Sequence, residues 1–219
     1  IAGNTIFPGN SIKVAFRDEN FAGDWIPGIN QTIEYTITNE NWEPLPEYSI
    51  SKIGGETFRA ISYNALDNGI FDFNRKPAFE RIFQALDPDI IGFQEVYNHN
   101  ATTVKNLVEE FLPSGAGEEW FGAKVTPDII CVSRYKIKQA FFIDGVGNSA
   151  NGAFLIELPA PFNSDMLFIV AHTPCCDNNS GRQQEVDAIM GFVRDAKNGN
   201  GTPSIADDTP IIISGDMNL

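Results

Sequence analysis

The chain has 219 residues, with 15 Lys and Arg against 29 Asp and Glu, so its formal net charge at pH 7 is −14. With 42% hydrophobic and 20% charged residues it can bury a core, which excludes a disordered acidic tail. Its longest purely apolar stretch, Met166 to Ala171, is far short of the roughly 20 residues that span a bilayer, and its acidity argues against a generally basic nucleic-acid binder.

Residues 1–57 read as a β-rich N-terminal extension. Apolar and polar residues alternate at 12–17 and again at 33–38, which predicts two strands that each bury one face. A segment of this length is small for an independent sandwich. We therefore expect either an edge extension of the main domain or the remnant of a preceding module.

Residues 58–219 read as one domain in which short apolar strands alternate with helices. We predict strands at 58–63, 90–93, 129–132, 154–158, 167–171 and 210–213, and helices at 77–86, from 103 onward and at about 181–196. Apolar strands between amphipathic helices indicate a layered α/β domain whose sheet is covered on both faces.

The third predicted helix has the clearest amphipathic pattern. Its apolar face is predicted from the spacing of four residues, Val186, Ile189, Met190 and Val193. Ser180 and Gln183 have the spacing of a capping box at its start. We expect Arg182, in the first turn, to serve the helix and its neighbours rather than a phosphate.

Polar residues of the types that catalysis uses follow four of the apolar strands. They are Asn64, Glu95, His172, and the pair Asp216 and Asn218. Each has an ordinary explanation by itself, as a turn residue, a solvated strand end or a core histidine. In α/β folds, however, ligands collect at the carboxyl ends of strands, so four such coincidences in one domain predict a common site.

The residue types suit a hard divalent cation. Carboxylate and amide oxygens without a cysteine or histidine cluster favour Mg²⁺, Mn²⁺ or Ca²⁺. Such an ion on Glu95 and Asn64 would neutralise phosphate charge without a large basic patch. Asp216 and Asn218, two residues apart in an extended segment, would point to the same side, one to orient water and the other to donate to phosphate. His172 would stabilise charge on the phosphoryl oxygens.

Five motifs resemble those of the endonuclease/exonuclease/phosphatase superfamily, which includes pancreatic-type deoxyribonucleases, apurinic-site endonucleases, neutral sphingomyelinases and inositol polyphosphate phosphatases. They are Asn64-Ala-Leu66, Asp89-Ile-Ile-Gly-Phe-Gln-Glu95-Val96, Ser133-Arg134-Tyr135, Ala171-His172 and Gly215-Asp216-Met-Asn218. They occur in the order of that family, with similar spacing, over residues 58–219. The resemblance implies a four-layer sandwich, in which two mixed β-sheets pack face to face with helices outside.

The resemblance also implies roles for individual residues. Glu95 would be the metal ligand, and Asn64 its neighbour at the metal and the phosphate. His172 would bind phosphate and stabilise the transition state. Asp216 and Asn218 would position the nucleophile and the phosphate.

One departure from the family pattern concerns the general base. Members of the family continue past Gly-Asp-x-Asn to a terminal Ser-Asp-His motif, whose His is the base and whose Asp helps hold the metal, whereas this sequence stops at Leu219. The other histidine, His99, lies in a polar loop and is interpreted as a surface residue. Since general acid–base catalysis contributes about 10²–10⁴ in rate, we expect these residues to be an incomplete, impaired version of a longer enzyme.

The leading hypothesis is a metal-dependent phosphoesterase that cleaves phosphodiesters, nuclease-like, by in-line attack of water. Arg134 of the Ser-Arg-Tyr motif is a further candidate phosphate contact. A sphingomyelinase-like lipid phosphodiesterase is the alternative. It would need an exposed apolar loop, for which Phe141-Phe142 is a candidate although core is its default interpretation. A non-catalytic binding protein on the same fold is the third hypothesis.

The three cysteines, Cys131, Cys175 and Cys176, do not form a disulfide framework. We interpret them as ordinary thiols, with a vicinal disulfide between the last two as the alternative. The sequence starts without Met and shows no signal peptide, which fits a processed secreted protein or a trimmed chain. We expect a secreted monomer whose partner is its phosphodiester substrate.

Overall fold

A computed structural model of the chain describes residues 11–15, 32–36, 50, 52, 57–144 and 151–218. The chain divides into two units, Ile1–Ser49 and Ile50–Leu219. In the first unit, β1 (Ser11–Ala15) and β2 (Thr32–Thr36) pair in antiparallel fashion. The two alternating segments near the N-terminus therefore form strands, and the predicted ends of both strands beyond these bounds lie outside the described residues.

The second unit contains two four-stranded mixed sheets. The first sheet has the order β3 (Ala60–Asn64), β4 (Ile90–Gln94), β6 (Ile130–Ser133) and β5 (Phe121–Lys124). The second has the order β10 (Ile211–Asp216), β9 (Ser164–His172), β8 (Asn151–Leu158) and β7 (Ile137–Ile143). Each sheet has one parallel pair, β3 with β4 and β9 with β10, and its other pairs are antiparallel.

In the described part of this unit, three α-helices cover the outer faces of the sheets: α1 (Lys76–Leu86), α2 (Ala101–Phe111) and α3 (Asn179–Lys197). Phe83 of α1 and Val108 of α2 belong to a buried cluster with Phe93 of the first sheet. Ile189 of α3 packs in another buried cluster with Ile169 of the second sheet. Among the described residues, none of the helices combines the length and the apolar character that crossing a bilayer requires.

A third cluster lies between the two sheets and includes Ile90 and Cys131 from one sheet and Phe168 and Val170 from the other. The layers are therefore helices, sheet, sheet and helix, which confirms the predicted four-layer sandwich. The sheets approach closely at Gly92, where an added Cβ would lie 2.6 Å from a methyl group of Val170. Glycine at this position lets the two sheets pack.

The first residues of α3 differ from the predicted capping box. Asn178 is the N-cap, and its side chain accepts a hydrogen bond of 3.0 Å from the backbone N–H of Gly181. The helix thus begins two residues earlier than predicted. An Asn side chain satisfies a free N–H at a helix start as well as a Ser does, so the sequence offered two equivalent caps.

The buried face of α3 also differs from the prediction. Val186 and Met190 are 41% and 52% exposed, whereas Glu185 and Ile189 are buried. The buried stripe is therefore shifted by one position. A Glu within the stripe broke the apolar pattern, so the periodicity favoured the neighbouring positions.

The sequence did not predict β5 or β7, the edge strands at one end of each sheet. β5 has no fully buried residue, and β7 has one, Ile143. An edge strand with exposed side chains lacks the apolar run that identifies a central strand. The remaining strands and helices of the second unit occur where predicted, within a few residues at their ends.

The close approach of the sheets gives a stability test. Gly92→Ala places a methyl group against Val170, and we expect it to lower the free energy of unfolding by about 1–3 kcal/mol through overpacking. Gly191→Ala is the control, because a Cβ at Gly191 of α3 meets no atom within 4 Å, and alanine should stabilise the helix by up to about 1 kcal/mol. Urea denaturation measures both. A Gly92→Ala protein as stable as the wild type would contradict the packing argument.

Candidate active site

The carboxyl ends of the two parallel strand pairs meet at one edge of the sandwich. Alternate residues of a strand face opposite sides. In β3, β9 and β10, Ala60, Val170 and Ile212 face the space between the sheets. The inward-facing rows of the same strands end at three residues, Asn64, His172 and Asp216. The three predicted residues therefore lie together at the mouth of the gap between the sheets.

The Asn64 side chain joins two carboxylates. Its Nδ2 donates to Glu95 Oε1 at 2.7 Å and to Asp216 Oδ2 at 2.9 Å. Its Oδ1 accepts from the backbone N–H of Leu66 at 2.8 Å, which fixes the orientation of the amide because a backbone N–H is always a donor. An oxygen of each carboxylate thus lies within hydrogen-bonding distance of the same nitrogen atom. The two carboxylates are therefore close together, as the sequence predicted.

Glu95 and the nearby loop 66–68 have left-handed backbone conformations. Glu95 has a left-handed φ of 61°, and the consecutive residues Leu66, Asp67 and Asn68 have φ values of 47°, 51° and 60°. The backbone N–H of Asp67 donates to Glu95 Oε2 at 3.0 Å, and that of Asn68 donates to the Glu95 carbonyl at 2.7 Å. Left-handed residues other than glycine cost about 1–2 kcal/mol each, so these hydrogen bonds stabilise an otherwise unfavourable loop that orients the carboxylate.

The loop after Glu95 is fixed by Lys124 of β5. The Lys124 ammonium donates to the carbonyls of Val96, Tyr97 and His99 at 2.7–3.0 Å. Desolvation by burial lowers the pKa of Lys124. One side chain therefore satisfies three carbonyls and holds Tyr97 beside Glu95.

His172 forms a short pair with Asp128. Nδ1 of His172 lies 2.6 Å from Asp128 Oδ2, and Nε2 lies 3.9 Å from Glu95 Oε1. The hydrogen bond to Asp128 raises the pKa of His172 against the opposing effect of desolvation, and the charges of Asp128, Asp216 and Glu95 raise it further. These interactions favour the protonated form more than in an isolated imidazole, and Nε2 is left to face Glu95.

Asp128 is a residue of the site that the sequence analysis did not predict. Its second oxygen, Oδ1, accepts the backbone N–H of Glu95 at 2.5 Å, so it contacts both Glu95 and His172. It precedes β6, which runs antiparallel to β4 and pairs Ile130 with Phe93, so the start of β6 lies at the end of β4. An acid just before the apolar run 129–132 was the available signal, but it lies at the amino end of its strand and not at the carboxyl end, where ligands usually collect.

A cavity of about 670 Å³ opens beside these groups. Its lining includes Glu95, Asp128 and His172 as the charged side chains, together with Tyr97 and Asn218. Desolvation, together with the charges of Asp128 and other nearby carboxylates, raises the pKa of Tyr97 to about 12. Tyr97 therefore stays a neutral phenol that is able to donate a hydrogen bond into the cavity.

Asn218 lies at the cavity by a different route from the predicted one. The extended strand ends at Asp216, and Asn218 has a left-handed φ of 48°. Its backbone N–H donates to Asp216 Oδ1 at 3.0 Å and its side-chain amide donates to the Thr173 carbonyl at 2.7 Å. The two side chains are therefore associated through a turn rather than through strand alternation.

The structure does not bring Arg134 to this site. Arg134 follows β6, and its backbone N–H donates to the carbonyl of Asp89 at the start of β4. Its guanidinium lies 3.5 Å from Asp87 and 4.4 Å over the ring of Trp120. Because β6 is antiparallel to β4, its carboxyl end lies at the opposite edge from Glu95, which corrects the expected phosphate contact.

Two other residues lie close to their predicted settings. The ring of His99 stacks on Phe71, with ring centroids 3.6 Å apart, and is half-buried rather than fully exposed. Arg182 donates to the carbonyls of Pro174 and Cys176 at 2.9 and 2.8 Å. Arg182 therefore holds the segment that leads into α3, as expected, and His99 packs on an aromatic ring outside the cavity lining.

The cysteines are free thiols. Cys131 is buried between the sheets, and Cys175 and Cys176 are exposed. This confirms their interpretation as ordinary thiols and leaves the vicinal disulfide without support.

The donor set fits a hard cation held by few protein ligands. Among the residues that the structure describes, no group of three or more His, Cys, Asp and Glu side chains forms a ready-made metal cage. Mg²⁺ characteristically keeps several waters and binds one or two carboxylates together with substrate phosphate. The neighbouring carboxylates of Glu95 and Asp216 offer that arrangement. Asn64, predicted as a second ligand, instead turns its amide nitrogen toward them and acts as a bridge.

No protein-family model matches the sequence. No curated protein matches it either. Solved structures share its fold, and three of them have TM-scores of 0.52 to 0.56. The human Nocturnin catalytic domain with bound sulfate anion has a TM-score of 0.56 and 16% identity, covering 74% of this chain and 65% of that chain.

Sphingomyelinase C from Streptomyces griseocarneus has a TM-score of 0.52 and 16% identity, with 74% and 64% coverage. TDP2 from C. elegans has a TM-score of 0.53 and 14% identity, with 75% and 50% coverage. The chain thus spans between half and two thirds of the length of these structures. It has the fold of the endonuclease/exonuclease/phosphatase superfamily, as its motifs predicted.

The Asp128–His172 pair gives a titration test. We expect the His172 imidazole to titrate above its ordinary value of 6.5, and Asp128→Asn to lower that pKa, as followed by NMR. Because the pKa of His172 is higher in the folded than in the unfolded state, the pair with Asp128 adds to the free energy of unfolding. This contribution is fully present below about pH 6.5 and is lost as pH rises through the folded-state pKa. Asp128→Asn should therefore cost more unfolding free energy at about pH 5.5 than above that pKa.

His99 is the internal control for this titration. Desolvation and Lys124 lower its pKa, and Asp128→Asn should leave it unchanged. A His172 midpoint that stays the same in the variant would show that Asp128 does not hold the imidazolium.

Proposed function

We propose that this site hydrolyses phosphodiesters by in-line attack of water, with the help of a divalent cation such as Mg²⁺, Mn²⁺ or Ca²⁺. The observation that carries the proposal is the Asn64 amide held between the carboxylates of Glu95 and Asp216, with the Asp128–His172 pair beside it. The fold, shared with a structure that bound sulfate and with a sphingomyelinase C, adds support.

The charge of the cavity supports the proposal that a cation takes part. The charged side chains along its described lining are two carboxylates and one imidazole, which would repel a phosphodiester without a counter-charge. Glu95 would hold the cation, with Asp216 close by. When bound, the cation would neutralise phosphate charge and polarise a phosphoryl oxygen as a Lewis acid.

The residues of the chain would complete the chemistry. The imidazolium of His172, held by Asp128, would donate from Nε2 to a phosphoryl oxygen and stabilise the charge that develops there. Asp216 would orient the attacking water. Asn218 and the neutral phenol of Tyr97 would position the phosphate by donating hydrogen bonds from the cavity lining.

Two substrate classes fit this chemistry. A nuclease-like activity is our first proposal; the Debye length of about 8 Å at physiological salt would confine the repulsion from the acidic surface. A lipid phosphodiesterase is the second candidate, favoured by Phe142, which is 53% exposed on β7. Phe142 pairs with Gly152 of β8, which pairs in turn with Val170 of β9, so Phe142 lies toward the same end of the sheet as His172.

The test compares three substrates in the full-length natural protein. Bis(p-nitrophenyl) phosphate, plasmid DNA and sphingomyelin vesicles are each assayed with Mg²⁺ and with Mg²⁺ plus chelator. We expect chelator-sensitive turnover, and at least a 10²-fold loss, the lower end of typical catalytic-group effects of about 10²–10⁴, in Glu95→Gln. The preferred natural substrate distinguishes the nuclease from the lipid phosphodiesterase.

Glu119→Gln is the matched control, because Glu119 is exposed and lies with Arg134 along a separate pocket. It should keep full activity. Calorimetry with Mg²⁺ gives an independent measure, in which Glu95→Gln, unlike Glu119→Gln, should lose binding. Absence of chelator-sensitive turnover on all three substrates would overturn the proposal and favour a non-catalytic binding protein.

A further inference from the structure

A buried polar pair lies behind His172, on the side of the second sheet that α3 covers. Asn151 of β8 and Glu185 of α3 both have 0% exposure. The side-chain nitrogen of Asn151 donates a short hydrogen bond to Glu185 Oε2, and the Asn151 oxygen accepts the backbone N–H of His172 at 3.2 Å. A continuous chain of hydrogen bonds therefore runs from α3 through β8 to the last residue of β9.

Strand alternation explains why this pair reaches the backbone of His172 and not its ring. Ala153 and Leu155 of β8 pack in the cluster beneath α3 with Ile189, so Asn151 faces α3 as well. The His172 side chain follows Val170 into the gap between the sheets. Asn151 is thus placed on the opposite face, where it holds the peptide that carries the imidazole.

The Asn151 side chain accepts a hydrogen bond from a backbone N–H that lies beyond the end of the ladder between β8 and β9. The ladder between β8 and β9 ends at Gly152 and Val170, so the N–H of His172 lies beyond it. An Asn amide has a donor end and an acceptor end. Because Glu185 accepts from the donor end, the acceptor end is held toward His172.

The identity of residue 185 is hard to explain by packing. It occupies the buried stripe of α3 one turn before Ile189, where an apolar side chain would fill the space. A buried carboxylate is unfavourable unless it is well hydrogen-bonded. A carboxylate at this position therefore points to a role in holding Asn151.

We propose that Glu185 and Asn151 are positioning residues that fix the end of β9 and so orient His172 toward the cavity. The inference rests on the proposed function of the site for its effect on turnover. It assigns to α3, which contributes no residue to the described cavity lining, a part in the activity.

The experiment uses Asn151→Ala, Glu185→Leu and Glu185→Gln in the full-length natural protein. Asp187→Asn is the matched control, since Asp187 is an exposed carboxylate of the same helix that pairs with Gln183. Hydrogen exchange of the His172 amide is measured by NMR relative to the Val170 amide. Steady-state kinetics on bis(p-nitrophenyl) phosphate give kcat and KM separately.

We expect Asn151→Ala and Glu185→Leu to speed exchange of the His172 amide at least tenfold relative to Val170. Residues that orient a functional side chain typically change activity by about 10–100-fold, so we expect kcat to fall by that factor with KM little changed. Glu185→Gln, which keeps an acceptor oxygen, should lose less than Glu185→Leu. Asp187→Asn should behave as the wild type.

Unchanged His172 exchange and unchanged kcat in Asn151→Ala would overturn the inference, and this variant decides the matter if Glu185→Leu does not fold. Equal acceleration at Val170 and His172 would also overturn it, because that pattern indicates general loosening of the sheet. If the wild type turns over none of the three substrates, the proposed function fails. The relative exchange at His172 still decides whether the pair positions it.

Discussion

The site depends on one amide group that holds two carboxylates together. Glu95 ends a strand of the first sheet and Asp216 ends a strand of the second, and the Asn64 side chain donates to both. Two neighbouring carboxylates repel each other, which favours protonation of one of them unless donors or a cation compensate. The two N–H bonds of one amide supply part of that compensation. The same contact joins the two sheets at the edge where the cavity opens.

Asp128 makes a second connection between the sheets. One of its oxygens accepts the backbone N–H of Glu95, and the other pairs with His172 of the second sheet. The cavity therefore has on one side an imidazole whose pKa Asp128 raises, and paired carboxylates on the other. In the proposed function, His172 and a hard cation would together bind the phosphate.

The apolar packing that holds these groups in place is typical of the fold, and most of it could be predicted. Central strands such as β4 and β9 are apolar runs bounded by polar residues, so local sequence identifies them. The edge strand β7 exposes most of its residues, so local sequence does not. In α3, Glu185 occupies a core position. Because a charged residue interrupts the apolar pattern there, the predicted apolar face was displaced by one residue from the observed one.

The sequence by itself determined the layered α/β class and the convergence of Asn64, Glu95, His172 and Asp216, because a polar residue that ends an apolar strand is a local signal. Only the tertiary structure decided which residues meet them from antiparallel neighbours or from the helix behind. Asp128 belongs to the first group, and the pair of Asn151 with Glu185 belongs to the second. Strand order and register set those contacts, and they depend on pairing between segments far apart in the chain.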